Sequence, residues 1–329
     1  MALDYKIIQT KFLAGQGLGN QLWVYAAGRA LAEKLGRQHV VLGMDLFKGR
    51  DFLDIDAGMD LDAAAPIEQF NETLYYDPIL KYFSSTYDNR VESLPSRVQI
   101  NGLFQSERYL YGNMRDLSTW IRPSKYVQKI ATNYKDVCIL NLRGGEYKRH
   151  RSFILPRSYW DMAINVLRMK LGDTKIMVVT DDPAYAQAFL PEFPVLEGGV
   201  AECYAALMGA KALAVSNSSF AYFPIKTRHD LPFVLAPEHW ARYGHSGGRW
   251  AMPSNVYQGW TYLSKSGTLF EYSDCLKAAE VDAAYYEATF NVRVPEQMLT
   301  NVPLTRFIPV TLKRFIKRVA AYLFPTRFG

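Results

Sequence analysis

Residues 5–36 read YKIIQTKFLAGQGLGNQLWVYAAGRALAEKLG, and this stretch joins a strand pattern, a glycine-rich turn and a helix pattern. The run Tyr5–Leu13 predicts a strand, and Gln21–Leu35 carries apolar residues at helical spacing. Gly36 is typical of the glycine that follows a last helical turn, and His39–Leu42 predicts the next strand. This strand–turn–helix–strand opening is typical of the α/β class.

A second series of strand and helix patterns begins near residue 135, after a short strand predicted at Gln99–Phe104. Strands are predicted at Val137–Leu142, Lys175–Thr180, Ala212–Val215 and Phe233–Ala236, and helices at Ser158–Leu171, from Pro183, at Val200–Gly209 and at Ser218–Lys226. Such alternation predicts a parallel sheet covered on both faces.

The length of 329 residues exceeds what one hydrophobic core usually holds, so we expect two domains. We place one α/β domain at residues 1–135 and a second at 136–300, followed by a tail of residues 301–329. Ligands of such sheets bind beyond the carboxyl ends of the strands, where the motifs described below lie.

The composition is that of a globular protein, with 49% hydrophobic and 21% charged residues. The net charge of +6 lies entirely in residues 301–329, and the rest of the chain is balanced, so a nucleic-acid footprint is excluded. The cysteines Cys138, Cys203 and Cys275 are scattered, which favours neither a zinc site nor disulfides and suits a reduced cytosolic setting. No signal peptide or membrane-spanning stretch is predicted.

The tail predicts an amphipathic helix at Val310–Phe324, with large apolar residues on one side and basic residues on the other. Its basic residues are Arg306, Lys313, Arg314, Lys317, Arg318 and Arg327. This pattern predicts peripheral binding to an anionic membrane through residues 306–328. The alternative is a last helix that packs on the protein body and exposes its basic face.

The glycine-rich turn after the first strand places Gly17 and Gly19 at the start of a helix, where backbone amides suit an anion. Its G-x-G-x-G spacing matches neither the dinucleotide fingerprint nor a phosphate-binding P-loop. A tight structural turn is the alternative.

The strand Val137–Leu142 is followed by Arg143 and Glu146 among glycines. Arginine can donate two parallel hydrogen bonds to a phosphate group. Glu146 is a candidate to orient this arginine or to accept a proton from a hydroxyl group. The alternative is a surface ion pair.

The next two strands also end in polar residues. After Lys175–Thr180 come Asp181 and Asp182, and we expect Asp182 to cap the helix that starts at Pro183. After Ala212–Val215 comes SNSSF, in which Asn217, Ser218, Ser219 and Phe220 open a helix and suit a pyrophosphate. Helix capping is again the alternative.

Together these segments resemble the bacterial α-1,2-fucosyltransferase family over roughly residues 8–225. The resemblance is carried by GLGNQL at residues 17–22, by GLFQSERY at 102–109, by the Arg143 segment, and by the Thr180–Asp182 and Asn217–Phe220 segments in family order. At three positions the sequence differs from the family's H-x-R-R-x-D-Y: Asn141, Gly144 and Glu146 replace the histidine, the second arginine and the aspartate. One cationic phosphate contact is therefore missing, and we hypothesise that Lys148, Arg149 or Arg151 replaces it.

The resemblance implies a GT-B fold of two Rossmann-like domains, and inverting, metal-independent transfer of L-fucose from GDP-fucose to a glycan acceptor. It implies that Arg143 holds the pyrophosphate, with Glu146 our candidate base. Further donor contacts are expected from Gly17, Gly19, Asn20, Gln21, Asp181, Asn217, Ser218, Ser219 and Phe220. We expect acceptor contacts from the N-terminal domain, and a cytoplasmic protein at the inner face of the bacterial plasma membrane, acting in surface polysaccharide or O-antigen synthesis.

Three alternatives remain open at this point. In the first, a protein of the same fold uses another nucleotide sugar. In the second, Gly144 marks a non-catalytic module that binds glycans or nucleotides. A nucleotide-dependent oxidoreductase is the third, although the third glycine of the fingerprint and an acidic ribose partner near residue 40 are missing.

Overall fold

The computed structural model of the chain describes residues 6–58, 67–77, 82–149, 151–239 and 255–290. Contacts group the described residues into one compact unit, which lies within Met1–Asn291. The predicted amphipathic helix of residues 306–328 lies outside the described residues, so its membrane role stays a prediction.

The N-terminal half is built on a parallel sheet of four strands. Its elements are β1 (Ile7–Lys11), α1 (Leu18–Lys34), β2 (Gln38–Leu42), β3 (Leu53–Ile55), β4 (Glu68–Asn71), β5 (Leu74–Asp77), β6 (Tyr82–Ser85), β7 (Arg97–Asn101), β8 (Ile121–Pro123), α2 (Leu117–Trp120) and α3 (Lys125–Ala131). The strand order is β2-β1-β7-β4. The chain moves outward from β1 to β2 and later returns to the other side of β1, so the order reverses between β1 and β7.

Helix α1 is buried on almost all sides. Its sequence predicts a single apolar face, yet polar Gln21 and the small Gly28 are also buried. The reason is that α1 packs on β1 and β2 and also contacts the C-terminal half. The helix ends as predicted, with Gly36 in the left-handed region at φ +61°.

The C-terminal half contains a sheet of six strands. Its elements are β9 (Val137–Leu142), α4 (Arg157–Leu171), β10 (Lys175–Thr180), α5 (Pro183–Phe189), α6 (Val200–Gly209), β11 (Ala212–Val215), α7 (Tyr222–Lys226), β12 (Phe233–Pro237), β13 (Thr261–Leu263), β14 (Leu269–Phe270) and α8 (Tyr272–Phe290). The order is β10-β9-β11-β12-β13-β14, parallel except for β14. Here the order reverses between β9 and β11.

Two hydrophobic cores lie on the two faces of the second sheet. In β9, Cys138 and Leu140 face a core completed by α4 and α5, whereas Ile139 faces the other. The latter core runs without a break through α6 and α7 into the N-terminal half. Both halves therefore share apolar packing across their junction, where Trp23 of α1 lies 4.3 Å from Tyr222 of α7 between ring centroids.

The structure confirms the predicted α/β fold of GT-B type, with two sheets and a cleft between them. β9, β10, β11 and α6 have the predicted bounds. The predicted helix Ser218–Lys226 is instead a 3₁₀ turn at Ser219–Ala221 followed by α7, because the Ser218 hydroxyl accepts the amide proton of Phe220 and tightens the first turn. The sequence patterns did not predict α8.

Candidate active site

A cleft lies where the strand order reverses in both sheets. It has a volume of about 540 Å³. From the N-terminal half it is lined by residues that follow β1 and β7, and from the C-terminal half by residues that follow β9, β10 and β11. Parallel sheets bind ligands at such reversal points, because the loops there diverge and leave a crevice. The cleft thus combines the crevices of two sheets.

The cavity brings together most of the site residues that the sequence indicated. These are Gly17, Gly19, Asn20, Arg143, Glu146, Asp181, Ser218, Ser219 and Phe220. Gln21 and Asn217 do not line it. The motifs are thus close in space although up to about two hundred residues separate them in the chain.

Gly17 and Gly19 serve different purposes. A Cβ on Gly17 would have no heavy atom within 4 Å, so this side of the turn is open towards the cavity. A Cβ on Gly19 would lie 2.5 Å from the carbonyl carbon of Ser219 and 2.6 Å from the nitrogen of Phe220. Gly19 therefore lets the start of α1 approach the backbone of the C-terminal half.

We expect Gly19→Ala to lower the free energy of unfolding by roughly 1–3 kcal/mol, although alanine favours a helix more than glycine does. The added methyl group meets backbone atoms that cannot rotate away. Gly17→Ala is the matched control, with a loss below about 1 kcal/mol. Urea unfolding measures both, and equal losses for the two variants would show that the close contact at Gly19 does not exist.

Asn20 connects the two halves across the floor of the cleft. Its Oδ1 accepts hydrogen bonds from Gln105 Nε2 at 2.8 Å and from the Ser219 hydroxyl at 2.9 Å. Gln105 follows β7 and Ser219 follows β11, so one amide oxygen ties the first turn of α1 to two loops. Asn20 thereby fixes the relative positions of groups from both sheets.

Gln21 and Asn217 act behind the cavity wall. Gln21 donates to the carbonyl of Leu46 and accepts the amide proton of Lys48, at 2.8 and 2.9 Å, which fixes the loop after β2. Asn217 donates to the carbonyl of Phe153 at 2.9 Å. Both side chains are buried and hold loops whose neighbouring residues reach the cavity.

Arg143 is held in place from two directions. Its Nη1 lies 2.9 Å from Asp181 Oδ2, and Asp181 Oδ1 accepts the amide proton of Gly144 at 2.9 Å. The guanidinium carbon lies 5.0 Å from the centroid of the Tyr147 ring, and the Tyr147 hydroxyl donates to the carbonyl of Asn217 at 2.8 Å. A guanidinium that is fixed in this way loses little conformational entropy when it binds an anion.

Two buried polar atoms in the cavity wall have no hydrogen-bond partner among the described residues. They are Nε of Arg143 and Oδ1 of Asn141. Buried polar groups in proteins are nearly always paired. Both atoms belong to residues that line the cavity.

Glu146 reaches the cavity from its rim. Its side chain is 71% exposed, and its Oε1 lies 3.7 Å from Nη2 of Arg143. This position allows the carboxylate to meet a ligand that enters from solvent. It also places the carboxylate within range of Arg143.

Gly144 is the position at which the resembled family carries a second arginine, and the structure leaves no room for one. A Cβ there would lie 2.6 Å from Tyr185 Cδ1 and 3.0 Å from Asp182 Cβ. Asp182 caps α5 as predicted, by accepting the amide proton of Tyr185. The adjacent Lys148 pairs with Asp182, and this pairing holds the pKa of the carboxyl group below its usual range. Lys148 does not line the cavity.

Several residues that line the cavity are not among the site residues predicted from the sequence. Leu103 and Gln105 lie within a family-like segment, and Tyr147 follows Glu146, so their motifs pointed to them. Lys48 belongs to no motif. Gly198 and Gly199 precede α6 without a recognisable pattern.

The described residues contain no group of three or more histidine, cysteine or acidic side chains arranged as metal ligands. Within the same part of the chain, no helix combines the length and apolar character needed to cross a membrane.

No protein-family model matches the sequence, and no curated protein matches it. Solved structures with a similar fold include the NodZ α-1,6-fucosyltransferase soaked with GDP-fucose, at 11% identity, covering 81% of this chain and 99% of that one with a TM-score of 0.46. POFUT1 in complex with GDP has 11% identity, 71% and 98% coverage and a TM-score of 0.39. FUT1 of Arabidopsis thaliana in complex with GDP has 10% identity, 70% coverage of both chains and a TM-score of 0.44. These are distant likenesses that assign no donor, acceptor or linkage to this chain.

Proposed function

We propose that this protein is an inverting glycosyltransferase that moves L-fucose from GDP-fucose to a hydroxyl group of a glycan. The observation that carries the proposal is a cavity at the reversal points of the two larger sheets, with Arg143 fixed in its wall. Such a cavity suits a nucleotide sugar bound against one sheet and an acceptor bound against the other. The choice of fucose, and of an α-1,2 linkage, rests on the family-like segments of the sequence.

In this proposal the donor diphosphate lies against the C-terminal half. Arg143 offers the N–H groups of its guanidinium to a phosphate oxygen. The serine-rich turn after β11 and the amides at the start of α1 face the same space. These groups stabilise part of the negative charge that the diphosphate gains on departure, and we propose that no divalent metal ion takes part.

The chemical step is a displacement at C1 of the donor sugar. The acceptor oxygen forms a bond to C1 while the bond from C1 to the phosphate oxygen breaks, and the electron pair leaves with the diphosphate. The proton of the acceptor hydroxyl passes to a base, for which Glu146 is our candidate because it is the exposed carboxylate at the rim. Attack on the face opposite the leaving group inverts C1.

We further propose that the protein works at the inner face of the bacterial plasma membrane in surface polysaccharide or O-antigen synthesis. The support is the sequence of the tail, whose six basic residues and no acid accompany a helical apolar pattern.

We expect Arg143→Ala to weaken GDP-fucose binding roughly 30- to 100-fold, because a charged hydrogen bond to phosphate is lost. Arg143→Lys should recover part of the affinity. Titration calorimetry with GDP-fucose, UDP-sugars and NADH measures the donor preference of the wild type.

The control is Arg168→Ala, which removes an exposed arginine from the end of α4. Tighter binding of a UDP-sugar than of GDP-fucose would support a glycosyltransferase that uses a different donor. Binding of NADH alone would favour an oxidoreductase, and nucleotide binding without transfer or hydrolysis would favour a binding module. An Arg143→Ala variant that binds GDP-fucose as the wild type does would contradict the proposed role of Arg143.

A further inference from the structure

The charges that line the cavity do not suit a diphosphate unless Lys48 is counted. The charged residues of the lining are Lys48, Arg143, Glu146 and Asp181. Arg143 already pairs with Asp181 and approaches Glu146. The C-terminal side therefore presents two carboxylates and one guanidinium, a net negative surface. A doubly charged diphosphate needs a further cation there.

Lys48 has the properties of that cation. Its side chain is exposed, and among the described residues no carboxylate forms an ion pair with it. It belongs to the N-terminal half and lines the same cavity as Arg143. The alternative, a lysine that is only solvated, does not explain why its backbone is held so firmly.

Three contacts fix the backbone around Lys48. Its amide proton is accepted by the buried Gln21 at 2.9 Å. The preceding Phe47 is buried and stacks on Phe12, with ring centroids 5.1 Å apart. The following Gly49 packs on the Phe47 ring, where a Cβ would lie 2.6 Å from Cζ. An exposed lysine on such a fixed backbone is pre-positioned over the cavity.

We infer that Lys48 binds the sugar-bearing phosphate of the donor from the N-terminal side and supplies the positive charge that Gly144 cannot. This inference rests on the proposed function. The sugar-bearing phosphate is the one nearer the acceptor half, because transfer takes place between the two sheets. Arg143 and Lys48 then contact the diphosphate from opposite walls of the cavity. The leaving group gains its negative charge between these two cations.

The test compares GDP with GMP, which lacks the sugar-bearing phosphate, by titration calorimetry at constant ionic strength. We expect Lys48→Met to weaken GDP binding roughly tenfold while GMP binding changes less than about twofold. Lys48→Arg should keep most of the GDP affinity, because the charge is retained. Lys175→Met, which removes an exposed lysine at the amino end of β10, is the matched control.

Each outcome decides between possibilities. If Lys48→Met weakens GDP and GMP equally, or neither, Lys48 does not contact the sugar-bearing phosphate. If Lys148→Met gives the selective loss instead, the missing charge comes from Lys148. UDP and UMP are titrated in parallel, and a wild type that binds neither diphosphate overturns the proposed function as well. Wild-type GDP binding with an unaffected Lys48→Met variant overturns this inference alone.

Discussion

Lys226→Met is expected to lower the free energy of unfolding by about 3–5 kcal/mol, because it leaves the carboxylate of Glu107 buried without its cation. Lys226 Nζ lies 2.9 Å from Glu107 Oε1, and the two side chains are only 6% and 9% exposed. The same oxygen accepts the Tyr222 hydroxyl at 2.9 Å, and Oε2 accepts the amide proton of Gln258 at 2.7 Å. The Glu107 carboxylate is therefore contacted by one cation and two hydrogen-bond donors.

The double variant Glu107→Gln with Lys226→Met should recover at least half of that loss. Removing both charges together leaves no uncompensated ion in the interior. Urea unfolding of the wild type, both single variants and the double variant gives the coupling energy of the pair. Equal losses in Lys226→Met and in the double variant would show that the two charges are not coupled.

The exposed ion pair of Asp54 and Arg122 is the matched control for this cycle. Its side chains are 66% and 55% exposed, and it joins β3 to β8. Solvent screens such a pair, so Asp54→Asn should leave the unfolding midpoint unchanged. The contrast isolates the effect of burial from the effect of charge.

The Glu107–Lys226 pair lies at the junction of the two halves, which belong to one compact unit. Glu107 belongs to the N-terminal half, while Lys226 and Gln258 belong to the C-terminal half. Around them Trp23, Tyr222 and Tyr257 form one aromatic cluster. Domains joined by a large apolar interface do not move independently. The cleft is therefore preformed, and its geometry depends on this junction.

The local parts of this structure were predictable from the sequence. β1, β9, β10 and β11 are short apolar runs, and α1 has apolar residues at helical spacing and a glycine after its last turn, so nearby residues suffice to define them. The cap formed by Asp182 before Pro183 is one example. The convergence of the motifs also followed, because parallel strands place their carboxyl ends at one edge of a sheet.

The parts that depend on distant pairing were not predictable. Glu107 was noticed as a member of a motif, but its partner Lys226 lies more than a hundred residues away in no motif at all. The sequence predicts that the backbone amides at Gly17 and Gly19 suit an anion, whereas the nearest neighbours of Gly19 are backbone atoms of Ser219 and Phe220. Lys48 has no local signal, since its position depends on Gln21 of another element. Tertiary contacts of this kind leave no trace in a single sequence.

Glu72 is a buried acid that holds one wall of the cleft. It is 4% exposed, and its Oε2 accepts the amide protons of Leu103 and Phe104 at 2.7 and 3.0 Å. Its Oε1 accepts the Tyr109 hydroxyl at 2.8 Å. Phe104 has a φ of +49°, a strained value for a residue with a side chain. Glu72 thus holds a strained turn that carries Leu103 and Gln105 into the cavity.

The stability of the protein is expected to fall between pH 4.5 and about 7 through the ionisation of Glu72. Burial raises the pKa of this carboxyl group to about 7, and the charge of Asp88 adds to the rise, although the three hydrogen bonds oppose it. The folded chain therefore keeps a proton on Glu72 that the unfolded chain has already released above pH 4.5. Glu72 makes its full contribution to the free energy of unfolding below pH 4.5. About 3 kcal/mol of this free energy is lost by the time the pH exceeds 7.

Glu72→Gln should abolish this loss, because glutamine can accept both amide protons, donate to the Tyr109 oxygen and never ionise. Urea unfolding of both proteins from pH 4.5 to 8 is the measurement, and the difference between the two curves removes the contribution of every other titrating group. Glu72→Ala should instead be destabilised across the whole range, because the amides of the strained turn lose their acceptor. If the free energy of unfolding changes with pH in the same way for the wild type and the glutamine variant, Glu72 has the same pKa in the folded and the unfolded chain. The strained turn would then depend on hydrogen bonding alone.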